Sequence, residues 1–179
     1  MLDFIFENLK HTLCILILVS RIGDIGTTFL VTPTLTLEAN PIARRLGWRF
    51  ALLTLAVCAV PYFSLNYGVM ILVPSLMVSA GNAGKVWAAR TMGEQQYKAM
   101  MLSLAAKSKL RHALGGVLLS ATFIVLLGVV ILLLYPDPLE ELAFWFGAGI
   151  VAYGFVIAIH GSLWFIKLFR EANVAAGTR

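Results

Sequence analysis

The chain has 179 residues, 60% of them apolar and 13% charged, with a formal net charge of +5. Ordinary soluble domains are about 45–50% apolar and about 25% charged, so a soluble fold of this length could not hide so much apolar surface, whereas lipid accepts it. The basic residues flank apolar runs instead of forming a patch, which argues against a nucleic-acid partner and makes them topology signals.

A helix needs about 20 apolar residues to cross the hydrocarbon core. The segment ahead of the first apolar run carries Asp3 and Glu7 against Lys10 and lacks the positive region of a signal peptide. The run itself, about 12–32, contains Arg21 and Asp24, so it reads as a retained span. The next run, about 50–87, is too long for one crossing. Pro61, Ser64, Asn66, Tyr67 and Gly68 supply a break, giving spans at about 48–64 and 67–88. The segment 91–112 is the least apolar stretch. It reads as an amphipathic helix on anionic lipid head groups or as a helical extension of its neighbours. A fourth span covers about 113–135 and ends at Pro136, where proline blocks helix continuation. A fifth covers about 142–167. Cys14 and Cys58 lie inside apolar runs and read as small buried hydrophobes.

The expected fold is therefore all-α, a single polytopic domain of five transmembrane helices. Arg44, Arg45 and Arg49 precede span two. Arg90, Lys98, Lys107, Lys109 and Arg111 follow span three, and Lys167 and Arg170 end span five. The 136–141 loop is purely acidic. The positive-inside rule then puts the basic segments and the C-terminus in the cytoplasm and the N-terminus outside, in a bacterial-type inner membrane.

Ionisable residues inside a span are expensive and face the bundle or a wet cavity. Arg21 and Asp24 are three residues apart, share a helix face and can pair. Thr28 lies one turn beyond. Asn40 is a good N-cap and Pro41 a good first helical residue, so a helix should start at Pro41, with Glu38 beside its positive end. This run of Asp24, Thr27 and Thr28, then Glu38, Asn40 and Pro41, resembles a signature of small, uncharacterised prokaryotic multi-pass membrane proteins. The match covers only about residues 20–45. Such proteins often carry a lysine in the following span, and span two here has none. The resemblance implies a shared polar site and assigns no activity.

Depth extends the candidate site. Asp24, Asn82 and His160 each fall six to eight residues from the inner end of their spans, about 9–12 Å below the boundary. Lys85, Glu38 and Arg44 should lie just above them. The candidate ligand-binding set is Arg21, Asp24, Thr28, Glu38, Asn40, Asn82, Lys85 and His160. Each also has a packing explanation: Arg21–Asp24 as an internal ion pair, Asn82 as interhelical glue.

Three functions fit. One is binding or translocation of an ion, proton or small anionic substrate, with a small pore assembling as an oligomer. Another is an accessory subunit of a larger membrane complex, packed through Ala80/Gly84, Ala148/Ala152 and Gly154/Ala158. The third is an intramembrane metal-dependent enzyme using Asp24, Glu38 and His160. The absence of His-Glu-x-x-His and Gly-x-Ser-x-Gly patterns disfavours catalysis. The expectation is a non-enzymatic, transport-like protein without catalytic residues or cofactor.

Overall fold

The computed structural model describes residues 8–38, 40–137, 142–175 and 177, apart from the Pro41 side chain. The 1–7 segment and most of the acidic 136–141 loop lie outside the described residues. Among those described the chain is all-helical, without strands. Helix α1 spans Leu9–Val31, α2 Pro41–Leu46, α3 Trp48–Thr54, and a 3₁₀ turn Leu55–Ala59 leads into α4, Val60–Phe63. Then follow α5 (Leu65–Met92), α6 (Glu94–Lys107), α7 (Leu110–Leu134), α8 (Leu142–Val156), a π-turn at Ile157–Gly161, and α9 (Ser162–Ala175). Four helical stretches are long and apolar enough to cross a membrane: Leu9–Val31, Leu65–Met92, Leu110–Leu134 and Leu142–Ala175.

The stretch Trp48–Phe63 is shorter, yet it accompanies α1 over most of its length. Phe29 and Trp48 meet edge to face at 5.5 Å. Towards the other end of α1, His11 Nδ1 lies 2.7 Å from the Tyr62 hydroxyl. Between these contacts α1 advances about 18 residues, roughly 27 Å, while its neighbour uses about 14. The 3₁₀ turn, rising about 2.0 Å per residue, makes up part of the difference. Ser64 leaves the helical region (φ −155°, ψ 120°), ends α4, and accepts the Tyr67 N–H to start α5. The hairpin closes tightly because Gly68 has no side chain: a Cβ there would lie 2.9 Å from the Pro61 ring.

Helix α5 packs between α1 and α8, and α8 packs between α5 and α7, while α6 lies on α9. Glycines let α8 sit in the middle of this row. A Cβ on Gly149 would lie 2.9 Å from the Met70 carbonyl oxygen, and one on Gly147 3.1 Å from that of Gly128. Gly154 meets Ala121 and Val125 of α7. Gly84, by contrast, faces open space. Helix α5 ends at Gly93 (φ 79°), and α6 then turns back to pack Ala105 against Leu168, Phe169 and Ala172. Cys14 and Cys58 are free thiols.

Candidate functional site

The buried face of α1 changes character along its length. Leu13 and Ile17 are buried and apolar, and Ser20 is buried and polar. The same 3–4 spacing continues through Asp24 to Thr28. The apolar half meets the half of α5 that carries Val69 and Val73. Further along, Ser79 Oγ donates to the Ser20 carbonyl at 2.8 Å, and polar groups take over.

Arg21 and Asp24 form an ion pair at 3.0 Å. The Asn82 side-chain amide donates to the other Asp24 oxygen at 3.1 Å and to the Thr28 hydroxyl at 3.3 Å. Arg21 also reaches Ser75 at 3.4 Å and Thr54 at 3.5 Å. One network thus ties α1, α3 and α5 together, and both Asp24 oxygens are occupied. The buried Nε of Arg21 has no hydrogen-bond partner among the described residues. Thr27 donates back to the Gly23 carbonyl at 2.8 Å and is spent on its own helix.

The loop between α1 and α2 covers this network. At its end Asn40 caps α2, accepting from the Ile42 N–H at 2.9 Å and the Ala43 N–H at 3.4 Å. Glu38 accepts the Asn40 N–H at 2.7 Å. Two charged side chains fasten the loop from outside. Glu94, the first residue of α6, accepts hydrogen bonds from the hydroxyls of Thr32 (2.5 Å), Thr36 (2.7 Å) and Thr34 (2.9 Å), and from the Thr34 N–H (3.2 Å). Desolvation would raise the Glu94 carboxyl, but these four hydrogen bonds outweigh it and bring it down to about 2. From α9, Lys167 donates to the carbonyls of Thr36 (3.2 Å) and Glu38 (3.1 Å).

Beneath the loop lies a cavity of about 770 Å³. All eight sequence-selected residues line it: Arg21, Asp24 and Thr28 from α1, Glu38 and Asn40 from the loop, Asn82 and Lys85 from α5, and His160 from the π-turn. Trp48, Phe50, Val78, Val156, Ile157 and Trp164 supply much of the remaining wall. Convergence is unequal. Asp24, Thr28, Asn82 and Arg21 are bonded to one another, whereas His160 and Lys85 stand on the wall. Lys85 has no carboxylate within 4.0 Å among the described residues. A π-turn re-aims the side chains of a helix and often marks functional positions; here it carries His160. No group of three or more His, Cys, Asp or Glu among the described residues comes together in a way that could hold a metal ion. Asp24, Glu38 and His160 share the cavity without forming such a group.

Sequence reading did not find Glu94, Lys167, Thr54 or Ser75 as parts of this site. One signal was available, three threonines (Thr32, Thr34 and Thr36) in one short loop; the backbone there turns, with Leu35 at φ 57°, and gathers their hydroxyls. Compared with known proteins, the chain matches no family model, no curated protein and no solved structure.

Proposed function

We propose that this chain is a five-span protein of a bacterial-type inner membrane, N-terminus outside and C-terminus cytoplasmic, and that its cavity binds a small anionic group. The five-span reading is supported by the way Trp48–Phe63 runs beside α1. The orientation is supported by charge. Arg44, Arg45, Arg49, Arg90, Lys98 and Lys107 belong to elements at the end of the bundle where Glu94 fastens the loop, and Lys10 sits near the opposite end. Positive charge marks the cytoplasmic side, and there it meets anionic head groups.

The observation that carries the binding reading is the state of the charges on the cavity wall. Asp24 is matched by Arg21 and Asn82. Lys85 is exposed on the wall of the same cavity with no carboxylate within 4.0 Å among the described residues, so it is free to hold an anion from outside the chain.

The test is a titration of the protein in zwitterionic nanodiscs with a series of anions, from inorganic phosphate to alkyl phosphates, read by thermal stability. At least one should raise the midpoint of wild type saturably, and Lys85→Gln should need at least tenfold more of it. No response in wild type, or an equal response in the variant, would overturn the reading. Translocation is tested separately in proteoliposomes. Wild type should pass protons or ions above background and Asp24→Asn should not. Background flux in both would leave a binding protein and remove transport.

A further inference from the structure

We infer that the ligand of this cavity is an anionic amphiphile of the inner leaflet, a phosphate-bearing lipid whose head meets Lys85 and whose chain lies along the apolar wall; this rests on the anion-binding reading above. Size is the first argument. A single ion needs only a few coordinating atoms, whereas about 770 Å³ lies within the range of sites for whole organic molecules.

The second argument is the ordering of polarity with depth. Val78, Asn82 and Lys85 line the cavity from successive turns of α5, and Val78 and Lys85 are roughly 10 Å apart along the helix. At one end of this row stands Lys85, and Glu38 and Asn40 line the same cavity. At the deep end the wall includes Val78, Ala51, Val156 and Ile157. The polar groups at that depth, Arg21 and Thr54, are bonded to each other, and Arg21 also to Asp24 and Ser75, with its buried Nε alone left without a partner among the described residues. An amphiphile with its head toward the cytoplasm and its chain toward the bilayer centre follows this gradient and has the ordinary orientation of an inner-leaflet lipid.

Access is the third. From the cytoplasmic end the cavity is covered by the loop that Glu94 and Lys167 fasten, and Leu35 and Leu37 of that loop are part of its lining. On its flank, α3 is joined to α1 by Phe29–Trp48 and Arg21–Thr54 but is not packed closely against α8, the π-turn or α9. Across the cavity from α3 stand Ile157, His160 and Trp164. In the five-span orientation proposed above, a lipid chain would enter between these two walls. The route that the loop covers is the one a soluble anion would take, so the ligand is expected to enter from the membrane.

The experiment uses the full chain with Trp87→Phe and Trp145→Phe, leaving Trp48 and Trp164 on the cavity wall as reporters, in zwitterionic nanodiscs. The probes are 12-bromododecyl phosphate, whose bromine quenches tryptophan, the bromododecyl maltoside of equal chain length, and inorganic phosphate as competitor. Saturable quenching by the alkyl phosphate is expected, with inorganic phosphate at least 100-fold weaker and the maltoside at least tenfold weaker. Lys85→Gln should weaken the alkyl phosphate at least tenfold. Gly81→Leu keeps every charge and has room at Cβ, where the nearest atom, the Tyr153 hydroxyl, is 3.7 Å away. Its longer side chain narrows the cavity, so it should weaken the alkyl phosphate and spare inorganic phosphate. Inorganic phosphate within tenfold of the alkyl phosphate would overturn the lipid assignment and leave anion binding standing. Equal binding of phosphate and maltoside chains, or no saturable binding of any anion, would overturn both.

Discussion

Asn82 on α5 donates to the Asp24 carboxylate on α1 at 3.1 Å, on the oxygen that the Arg21 guanidinium leaves free. The same amide reaches Thr28 at 3.3 Å. It is one of two direct polar links from α5 to this ion pair, the other being Arg21 to Ser75 at 3.4 Å. Interhelical hydrogen bonds in membranes are worth about 0.6 kcal/mol on average and up to about 1.7. With two bonds removed, Asn82→Leu should lose about 1 kcal/mol in reversible denaturant unfolding in bicelles. Asn82→Asp should lose more at neutral pH, because it sets a second carboxylate against Asp24. A leucine variant as stable as wild type would mean that the apolar halves, with the Ser79–Ser20 and Arg21–Ser75 hydrogen bonds, hold α1 and α5 without it.

Removing Arg21 has a different signature. Its pairing with Asp24 is internal to α1, so the ion pair adds little helix-to-helix glue of its own. Loss of one partner, however, leaves a charge without its match, a change that typically costs about 3–5 kcal/mol in buried pairs. Both side chains here are partly exposed, at 18% and 15%, so about 2–3 kcal/mol is expected for Arg21→Met. The double variant Arg21→Met with Asp24→Leu should recover most of that loss. If the double variant is no better than the single one, the guanidinium acts through Ser75 and Thr54 and not through Asp24.

These residues were legible in the sequence because charge inside an apolar run is conspicuous, and because helical rise alone sets Asp24 and Asn82 at one depth. The Asn40–Pro41 helix start was legible for a related reason: a cap is local chemistry between neighbours. The helix row α1, α5, α8, α7 was not, since apolar periodicity in a membrane does not say which helix faces which. Small residues misled in part. Gly154 lies against α7, but a Cβ on Gly84, which reads as an equally good packing residue, would meet nothing within 4 Å. Glu94 stands in the sequence as a single acid within the basic 88–112 stretch, with nothing beside it to mark its partners. Its role depends on a contact about 60 residues away in the chain with Thr32, Thr34 and Thr36.

The glycine contrast can be measured. A Cβ on Gly128 would lie 2.9 Å from the Gly147 carbonyl oxygen and 2.9 Å from the Val151 nitrogen, both backbone atoms that cannot rotate away. Forcing extra volume into such a contact costs about 1–3 kcal/mol. Gly128→Ala should therefore destabilise by about 2 kcal/mol. Gly84→Ala should be neutral or slightly favourable, because alanine is the better helix former. Equal losses at both positions would show that Gly84 packs against something outside this chain, such as a second copy.

Glu94 makes the loop over the cavity sensitive to acid. Its carboxyl lies at about 2, against an ordinary value of 4.5. A group depressed in the folded state contributes stability that is fully present above its unfolded pKa and is lost as pH falls through the folded one. The contribution of Glu94 should thus be constant above about pH 4.5 and decline from there toward about pH 2. Other carboxyls titrate in the same range, so the useful quantity is the difference between wild type and Glu94→Ala. That difference should be flat at neutral pH and shrink steadily below about pH 4.5. Hydrogen exchange gives a local version of the same measurement. The Thr34 amide donates to Glu94 at 3.2 Å, so its protection at neutral pH should drop in Glu94→Ala while amides in the middle of α7 stay unchanged. A stability difference that persisted undiminished to about pH 2.5 would mean that the three threonines hold the loop by contacts that do not need the charge.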